Sequence, residues 1–463
     1  METDEFTAAT AAFVSWLSEI GVRINPKMAI KDLRSEGRGR GVELVLTTFQ
    51  LPPETSRRMR SFFSIPRSAV LNVSNALASI SDDASKDAIS RMPSWLALTA
   101  AMVTEGQRSN SKWAPYLAIL PRQLESLIFW SESELRELQA STVVKKIGRK
   151  EAEQMFAAHI TPLDERNAEL HHRVASIIMA YAFDIPEDGE DKEPEHDGDA
   201  DELVSDDGED EKTVLSMIPL ADMLNADADR NNAREKRFFN DYGQLPRSDL
   251  LRRYGYVTDN YAAYDVAELT TQFILFCLTE RPLTLANGIS MDPLTHNQMS
   301  TRIEIAEREG VHELSYDLAY PGPDGPAIPD ELLALLYIIL LDDQNLKALF
   351  DSQSVLPSRS KLSTELVGQV LAFLLERRQK DYATTIEEDE KLLQQSKLPH
   401  RTTMAVNVRL GEKRVLRGAM QAALKFEGSN ARMISAAAAA RCSHTGKRKA
   451  EETSDPKKKG RFT

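Results

Sequence analysis

Two stretches near the middle of the chain decide its fold, SMIPLADMLNAD at Ser216–Asp227 and RFFNDYGQLPRSDLLRRYGYV at Arg237–Val257. The first sets a short apolar run before an aspartate and an asparagine. The second gathers Tyr242, Tyr254 and Tyr256 around two Tyr-Gly pairs. Singly, these residues have ordinary explanations, because tyrosine commonly buries its ring and an asparagine after an apolar run commonly caps a helix or turn. Their joint occurrence is what points to a function.

Length and composition predict a folded chain of two or three domains, since 463 residues with 42% apolar content can bury a sizeable core. No apolar run reaches bilayer length and the amino terminus lacks a secretory signal, which predicts a protein of the cytosol or nucleus. Only Cys277 and Cys442 are present, so we expect neither a disulfide framework nor a thiolate zinc site. The pair His171 and His172 is expected to be solvated or capping rather than metal-binding.

One acidic segment, Glu187–Lys212, accounts for the charge balance of the chain. It holds fifteen Asp or Glu against two Lys, so the rest of the chain is close to neutral although the net charge is -14. Because it has almost no apolar residues, it cannot recover its ordering entropy by burial, and we expect a disordered loop. The loop is either a solvated loop without a binding role, or it attracts a Lys/Arg-rich substrate electrostatically and raises the association rate of that substrate.

The carboxyl-terminal tail carries a basic motif. Gly446–Arg461 reads GKRKAEETSDPKKKGR, with seven Lys or Arg in two clusters across a short acidic spacer. This spacing predicts a bipartite nuclear import signal on a disordered tail, and hence recognition by the import machinery. The alternative is an RNA-touching or solubilising tail.

The amino-terminal half combines one helix, a strand region and a helical region. Phe6–Ile20 has apolar residues at helical spacing, which predicts an amphipathic helix. Gly37–Gly41 predicts a glycine turn that leads into an apolar strand at Val42–Leu46. From Ser94 to Tyr181 the pattern is helical, and its aromatic residues are expected to lie in the core.

After Val257 we expect helices. Tyr264–Leu278 and Pro329–Phe350 carry long apolar stripes, and Leu362–Tyr382 has apolar residues on one face and charges on the other. Tyr382–Leu393 and Met404–Leu416 continue this module with a charged face that is expected to be exposed.

In their order, these segments resemble the SET-domain protein lysine methyltransferases of the Rubisco large-subunit methyltransferase class. An apolar strand with Tyr181 and Phe183 precedes the two central motifs, and a helical module follows them. Two segments are most similar in sequence to the fungal ribosomal protein lysine N-methyltransferases of type 4: IFWSESELRELQAS at Ile128–Ser141 and IMAYAFDI at Ile178–Ile185.

The resemblance implies an α+β fold. A SET-domain β-fold of small sheets with a knot-like crossing is interrupted by a helical insert and followed by an all-α substrate-binding module. The implied domains are 1–70 (N-terminal helix and first SET part), 71–185 (helical insert and return strand), 186–212 (acidic loop), 213–257 (second SET part), 258–430 (substrate-binding module) and 431–463 (basic tail).

The activity implied by the resemblance is S-adenosylmethionine-dependent methylation of a protein lysine, in a basic substrate from the large ribosomal subunit. The reaction is an in-line displacement, so the enzyme must hold a neutral lysine nitrogen opposite a sulfonium leaving group. One alternative is a nuclear or chromatin substrate, and another is a catalytically silent SET-fold protein that holds a partner. We expect no metal, no direct nucleic-acid site and no membrane contact.

Residue by residue, the resemblance implies two groups of contacts. The methionine end of the cofactor would meet backbone around Arg38, Gly39 and Arg40. The adenosine would meet Asn225 and Ala226, Tyr254 would line the pocket, and Tyr242 would also contact the cofactor. Tyr242 is the implied catalytic residue, with its phenolic oxygen beside the methyl group and the lysine nitrogen.

On the substrate side, Tyr181, Phe183 and Tyr256 would form an aromatic lysine channel. Aromatic faces suit such a channel because they attract a methylammonium product through cation-π interaction. Asp222 would fix the substrate backbone or the strand crossing.

The sequence departs from the family pattern at two places. Ala226 stands where most members have a histidine, a change that the fungal ribosomal subgroup shares. Between Arg234 and Glu235 the family has a further strand pair of about twenty residues, which is absent here. A missing pair predicts unpaired backbone groups on the neighbouring strands and a shift of Tyr242.

Overall fold

The structure, a computed structural model, describes residues 4–34, 39–44, 63–80, 82–161, 168–187, 213–226, 239–240, 243–280, 282–285, 290–320, 327–351, 356–395 and 397–434. The basic tail, nearly all of the acidic segment, and the short join after Arg234 lie outside these residues. Among the described helices, none has both the length and the apolar character that crossing a membrane requires.

Seventeen α-helices are named in the described part of the chain. They are α1 (Glu5–Glu19), α2 (Val73–Leu77), α3 (Asp83–Ser90), α4 (Ser94–Gln107), α5 (Ala114–Leu117), α6 (Glu132–Arg136), α7 (Arg149–Met155), α8 (Ala168–Tyr181), α9 (Arg247–Tyr254), α10 (Thr271–Thr279), α11 (His296–Arg308), α12 (Asp330–Leu340), α13 (Asp343–Asp351), α14 (Arg359–Leu362), α15 (Glu365–Gln379), α16 (Ile386–Leu393) and α17 (His400–Ala423).

The strands are short, and they form six small sheets within the described residues. They are β1 (Arg23–Ile24), β2 (Met28–Asp32), β3 (Arg40–Leu44), β4 (Phe63–Ser64), β5 (Leu71–Asn72), β6 (Phe183–Pro186), β7 (Thr213–Met217), β8 (Asn225–Ala226), β9 (Phe239–Asn240), β10 (Val266–Thr270), β11 (Leu283–Thr284), β12 (Ser290–Met291) and β13 (Ser315–Ala319). Small sheets with a large helical part confirm the predicted fold class.

The chain forms two compact units, and both are discontinuous in sequence. Unit 1 comprises Met1–Ser131, Lys145–Leu245 and Asp249–Asn260. Unit 2 comprises Glu132–Val144, Pro246–Ser248 and Tyr261–Thr463.

Unit 1 is built around the apolar face of α1. Phe13, Trp16 and Leu17 are buried, as their helical spacing predicted. Trp16 stacks on Tyr116 with the ring centroids 6.3 Å apart, and Phe13 lies beside both rings. Tyr116 and Trp113 from the helical region are fully buried, so the prediction that these aromatics form core is confirmed.

A parallel strand pair in unit 1 joins the two central motifs. Asn225 of β8 is paired with Phe239 of β9, and Ala226 is paired with Asn240. Every other pair of named strands in the described residues is antiparallel. The pairing therefore brings Asn225–Ala226 and Phe239–Asn240 side by side, although twelve residues separate them in sequence.

Unit 2 is mainly helical but not all-α as expected. β10 pairs with β13 and β11 pairs with β12, both antiparallel. The expected helix at Tyr264–Leu278 is divided, because β10 alternates buried and half-buried residues and α10 begins only after Thr270. The hydroxyl of Thr270 accepts a hydrogen bond from Phe273 N (3.3 Å), which caps the new helix.

The charged face predicted for the last helices is partly buried. Asp389 and Lys413 are fully buried, and Arg409 is 2% exposed. Lys413 and Arg409 both form ion pairs with the Asp389 carboxylate, and Lys413 Nζ also donates to Thr384 O (2.9 Å). The expectation of an exposed face was wrong here, because these charges are paired within the core of the unit.

His171 and His172 are not solvated as expected. Both are buried on α8, with exposures of 2% and 8%, and both rings contact Phe156. Burial lowers the pKa of His172 and outweighs the opposing influence of Glu153.

Candidate functional site

The β2–β3 hairpin carries the residues predicted to meet the methionine end of the cofactor. Asp32 pairs with Arg40, and Leu33 N donates to Gly39 O (2.9 Å) to close the ladder. Gly39 is exposed, and a Cβ atom added to it would meet nothing within 4 Å. Arg38 lies outside the described residues.

The guanidinium of Arg40 is fully engaged within unit 1. It donates to Thr10 Oγ1 (2.8 Å), Phe6 O (3.0 Å) and Ile119 O (3.1 Å). These bonds hold the side chain against α1, and the role implied for the backbone of Arg40 stays a prediction.

Asp222 lies in a short 3-10 turn, Ala221–Met223, that follows a strained residue. Leu220 has φ of 77°, which is rare for a bulky side chain, and it is fully buried. Tyr116 OH donates to Asp222 Oδ2 (2.6 Å), while Oδ1 is buried without a hydrogen-bond partner among the described groups. Burial raises the pKa of Asp222 to about 7, and the bond from Tyr116 opposes that rise.

Tyr181 and Phe183 lie at the end of α8 and the start of β6, and both are half-buried. Phe183 pairs with Ser216 of β7, the strand that leads to the Asp222 turn. Burial, followed by the negative charge of Asp222, raises the pKa of Tyr181 to about 12. The structure thus places Tyr181 within electrostatic reach of Asp222.

Tyr254 and Tyr256 form a second aromatic group. Their ring centroids are 6.5 Å apart and their planes are inclined at 59°. Gly255 between them has φ of 75°, and a Cβ atom there would lie 2.6 Å from Ser126 N and 2.7 Å from Glu125 C. Glycine is therefore required, because both the left-handed backbone and the close approach exclude a side chain.

The remaining predicted residues are located only in part. Asn225 and Ala226 lie in β8, whose backbone pairing has been described, and Tyr242 falls outside the described residues. Sequence reasoning missed Tyr116 and Phe6, which contact predicted site residues from a distance in sequence. The WAPYL context of Tyr116 contains no signal for Asp222, since their bond joins residues 106 positions apart.

Comparison with known proteins identifies a matching family model and solved structures with a similar fold. The family model for the Rubisco large-subunit methyltransferase substrate-binding domain matches residues 293–416. The structure of the SET domain of that methyltransferase with lysine and S-adenosylhomocysteine covers 90% of this chain and 91% of its own, with a TM-score of 0.63 at 19% identity. The chain has the fold of this SET-domain methyltransferase. A second structure of that methyltransferase, bound to S-adenosylmethionine, has a TM-score of 0.59.

Several curated lysine methyltransferases are similar to the chain. Ribosomal lysine N-methyltransferase 4 of Saccharomyces cerevisiae is 32% identical over 313 residues, which cover 60% of this chain and 61% of the yeast protein. N-lysine methyltransferase SETD6 of Bos taurus is 22% identical over 462 residues, covering 89% and 95%. The human protein of the same name is 23% identical over 473 residues, covering 88% and 94%. The resemblance predicted from the two central motifs is confirmed.

Proposed function

We propose that this SET-domain chain is an S-adenosylmethionine-dependent protein-lysine N-methyltransferase. The observation that carries the proposal is the parallel pairing of β8 with β9, which sets Asn225–Ala226 of the first central motif beside Phe239–Asn240 of the second in unit 1. Relatives of this chain that bear the name lysine methyltransferase support it.

The described residues fit the cofactor. Gly39 offers exposed backbone with open space where a side chain would stand, which suits the close approach of a ligand. The proposed adenosine contacts are made by Asn225 and Ala226 of β8, and Tyr254 lines the same pocket. Burial raises the pKa of Tyr254, so its phenol remains a neutral hydrogen-bonding group at physiological pH.

When bound, S-adenosylmethionine supplies a methyl group on a sulfonium. In the transfer, a bond forms between the lysine nitrogen and that carbon while the carbon–sulfur bond breaks. Tyr242 would orient the lysine amine for this displacement and stabilise the charge that develops in it. The accepting amine must be neutral, so it would lose its proton to solvent before or after it enters the channel.

The lysine channel is proposed to consist of Tyr181, Phe183 and Tyr256. All three rings are half-buried, so each has a face left for a guest side chain. Asp222, whose buried Oδ1 has no partner in the described structure, fixes a donor group of the substrate backbone. This assignment explains why the carboxyl group is retained in a buried turn despite its desolvation.

The proposed substrate is a basic protein of the large ribosomal subunit. The name of the yeast relative supports a ribosomal target, and the acidic segment Glu187–Lys212 would favour encounter with a Lys/Arg-rich chain. The basic motif Gly446–Arg461 supports a nuclear location, where ribosomal proteins and chromatin proteins are both available. Tritiated S-adenosylmethionine labelling of ribosomal and nuclear extracts from cells that lack this protein distinguishes these two substrate classes.

The activity is tested by isothermal titration with S-adenosylhomocysteine followed by label transfer. We expect binding by the wild-type chain, and transfer that is lost in Tyr242→Phe but kept in Tyr264→Phe, a matched control in unit 2. Absence of binding would instead identify a catalytically silent SET-fold protein. Binding with equal label transfer by both variants would refute the role of Tyr242.

A further inference from the structure

The β2–β3 hairpin contacts α1 through two arginines. Among the named strands, β2 and β3 pair only with each other. A two-stranded hairpin is marginally stable by itself, so contacts outside the ladder decide how firmly the backbone at the end of the ladder, at Gly39 and Arg40, is held. Arg34 follows β2 and Arg40 begins β3, and both side chains reach the first turn of α1.

Arg40 contacts α1 from the β3 side of the turn. Its guanidinium carbon lies 3.7 Å from the centre of the Phe6 ring, within the range of a cation-π interaction. The same group donates to Phe6 O and to Thr10 Oγ1. The fixed fork of the guanidinium makes this a rigid connection.

Arg34 contacts α1 from the β2 side. Its guanidinium carbon lies 4.0 Å from the centre of the same Phe6 ring. It forms ion pairs with Asp32 and with Asp4, the N-cap residue whose carboxylate accepts from Phe6 N (3.2 Å). One aromatic ring therefore meets the cationic side chain at each end of the turn.

The helix that carries Phe6 is itself firmly anchored. Phe13 and Leu17 are fully buried, and Trp16 Nε1 donates to Lys112 O (2.7 Å). The rigidity of the core of unit 1 thus extends through α1 to the ends of the hairpin turn.

We infer that Phe6 is a positioning residue for cofactor binding: its ring contacts Arg34 and Arg40, and these contacts hold the backbone of Gly39 and Arg40, which is proposed to receive the methionine end. This role rests on the proposed function. Phe6 acts through the hairpin, so its removal should loosen the cofactor site and leave the lysine channel and Tyr242 unaffected.

The test replaces Phe6→Leu, which keeps apolar bulk and removes the aromatic face. We expect the dissociation constant for S-adenosylhomocysteine and the KM for S-adenosylmethionine to rise about 5- to 10-fold. The kcat at saturating cofactor and the KM for the protein substrate should be unchanged. Phe6→Trp should restore binding, and hydrogen exchange of the amides of residues 39–44 should be faster in Phe6→Leu without any ligand.

The matched control is Phe350→Leu, since Phe350 is an exposed phenylalanine in unit 2 with Arg308 over its ring at 5.6 Å. It should leave cofactor binding unchanged. If Phe6→Leu fails to fold, Arg40→Lys, which keeps the charge and loses the fork, is measured in the same assays with the same expectation.

Three outcomes would overturn the inference. Unchanged cofactor affinity in Phe6→Leu, with the wild-type chain binding S-adenosylhomocysteine, would refute the role of Phe6 and leave the proposed function standing. A wild-type chain that binds no S-adenosylhomocysteine would refute both. A fall in kcat of Phe6→Leu at saturating cofactor, as large as the rise in KM, would also count against the inference, because that result indicates general damage to unit 1.

Discussion

Gly255→Ala should destabilise unit 1 through two separable effects. The residue has φ of 75°, a left-handed backbone that costs a residue with Cβ about 1–2 kcal/mol. The new methyl group would also lie 2.6 Å from Ser126 N, and overpacking of this kind adds about 1–3 kcal/mol. The obstacle is backbone, which cannot rotate away, so both effects apply in full and the total should be about 2–5 kcal/mol.

The control for this change is Gly148→Ala, also in unit 1. Gly148 has φ of 70°, and a Cβ atom there meets nothing within 4 Å. It should therefore lose only the backbone part, about 1–2 kcal/mol. The difference between the two variants isolates the contact with the backbone of Glu125 and Ser126.

The assay is urea unfolding of both variants, followed by S-adenosylhomocysteine titration. We expect a lower midpoint for Gly255→Ala than for Gly148→Ala, and weaker binding in Gly255→Ala alone because Tyr254 and Tyr256 are displaced. Equal losses of stability in the two variants would show that the approach to Ser126 is not a tight contact and would refute the reasoning.

Three further predictions follow from described groups. Gly39→Ala should weaken S-adenosylhomocysteine binding without changing the thermal midpoint. Gly106→Ala is the control, since a Cβ atom there also meets nothing within 4 Å, and it should leave binding intact. Equal affinity of the two variants for S-adenosylhomocysteine would show that Gly39 is not in the site. Glu412→Gln should flatten the pH dependence of unfolding measured in urea. Burial raises the pKa of Glu412 from 4.5 to about 7, so the folded chain binds that proton more tightly and loses up to about 3 kcal/mol as pH rises through this range. A glutamine variant with the wild-type profile would contradict this. Lys413→Met should cost about 3 kcal/mol, because it leaves part of a buried ion pair unbalanced. Arg414→Met, on the adjacent exposed pair, should cost less than about 1 kcal/mol, and similar losses would argue against burial of Lys413.

Sequence patterns predicted core residues correctly where apolar positions recur at helical spacing. The apolar positions of α1 fall on one face, so Phe13, Trp16 and Leu17 could be assigned to the core directly. The backbone role given to Arg40 agrees with its engaged side chain, although its partners Phe6 and Thr10 give no sequence signal.

Features that depend on distant pairing could not be predicted. Lys413 was expected to be exposed because charged residues are almost never fully buried unless paired, and its partner Asp389 lies 24 positions earlier. β10 was read as helix because its apolar residues continue without a break into α10, and only pairing with β13 distinguishes the strand. The unpartnered oxygen of Asp222 is equally a property of the folded turn.

The discontinuity of unit 2 sets the order in which a ribosome can complete it. Glu132–Val144 belongs to this unit, and Ser141 Oγ donates to Glu412 Oε1 (2.6 Å) across 271 positions of sequence. At a synthesis rate of about 5–20 residues per second, the early segment waits roughly 15–55 seconds for its partner to emerge. During translation Leu138 and Val143, which are buried in the folded unit, are exposed until the later part of unit 2 emerges, so slowed elongation should increase capture of this segment by chaperones.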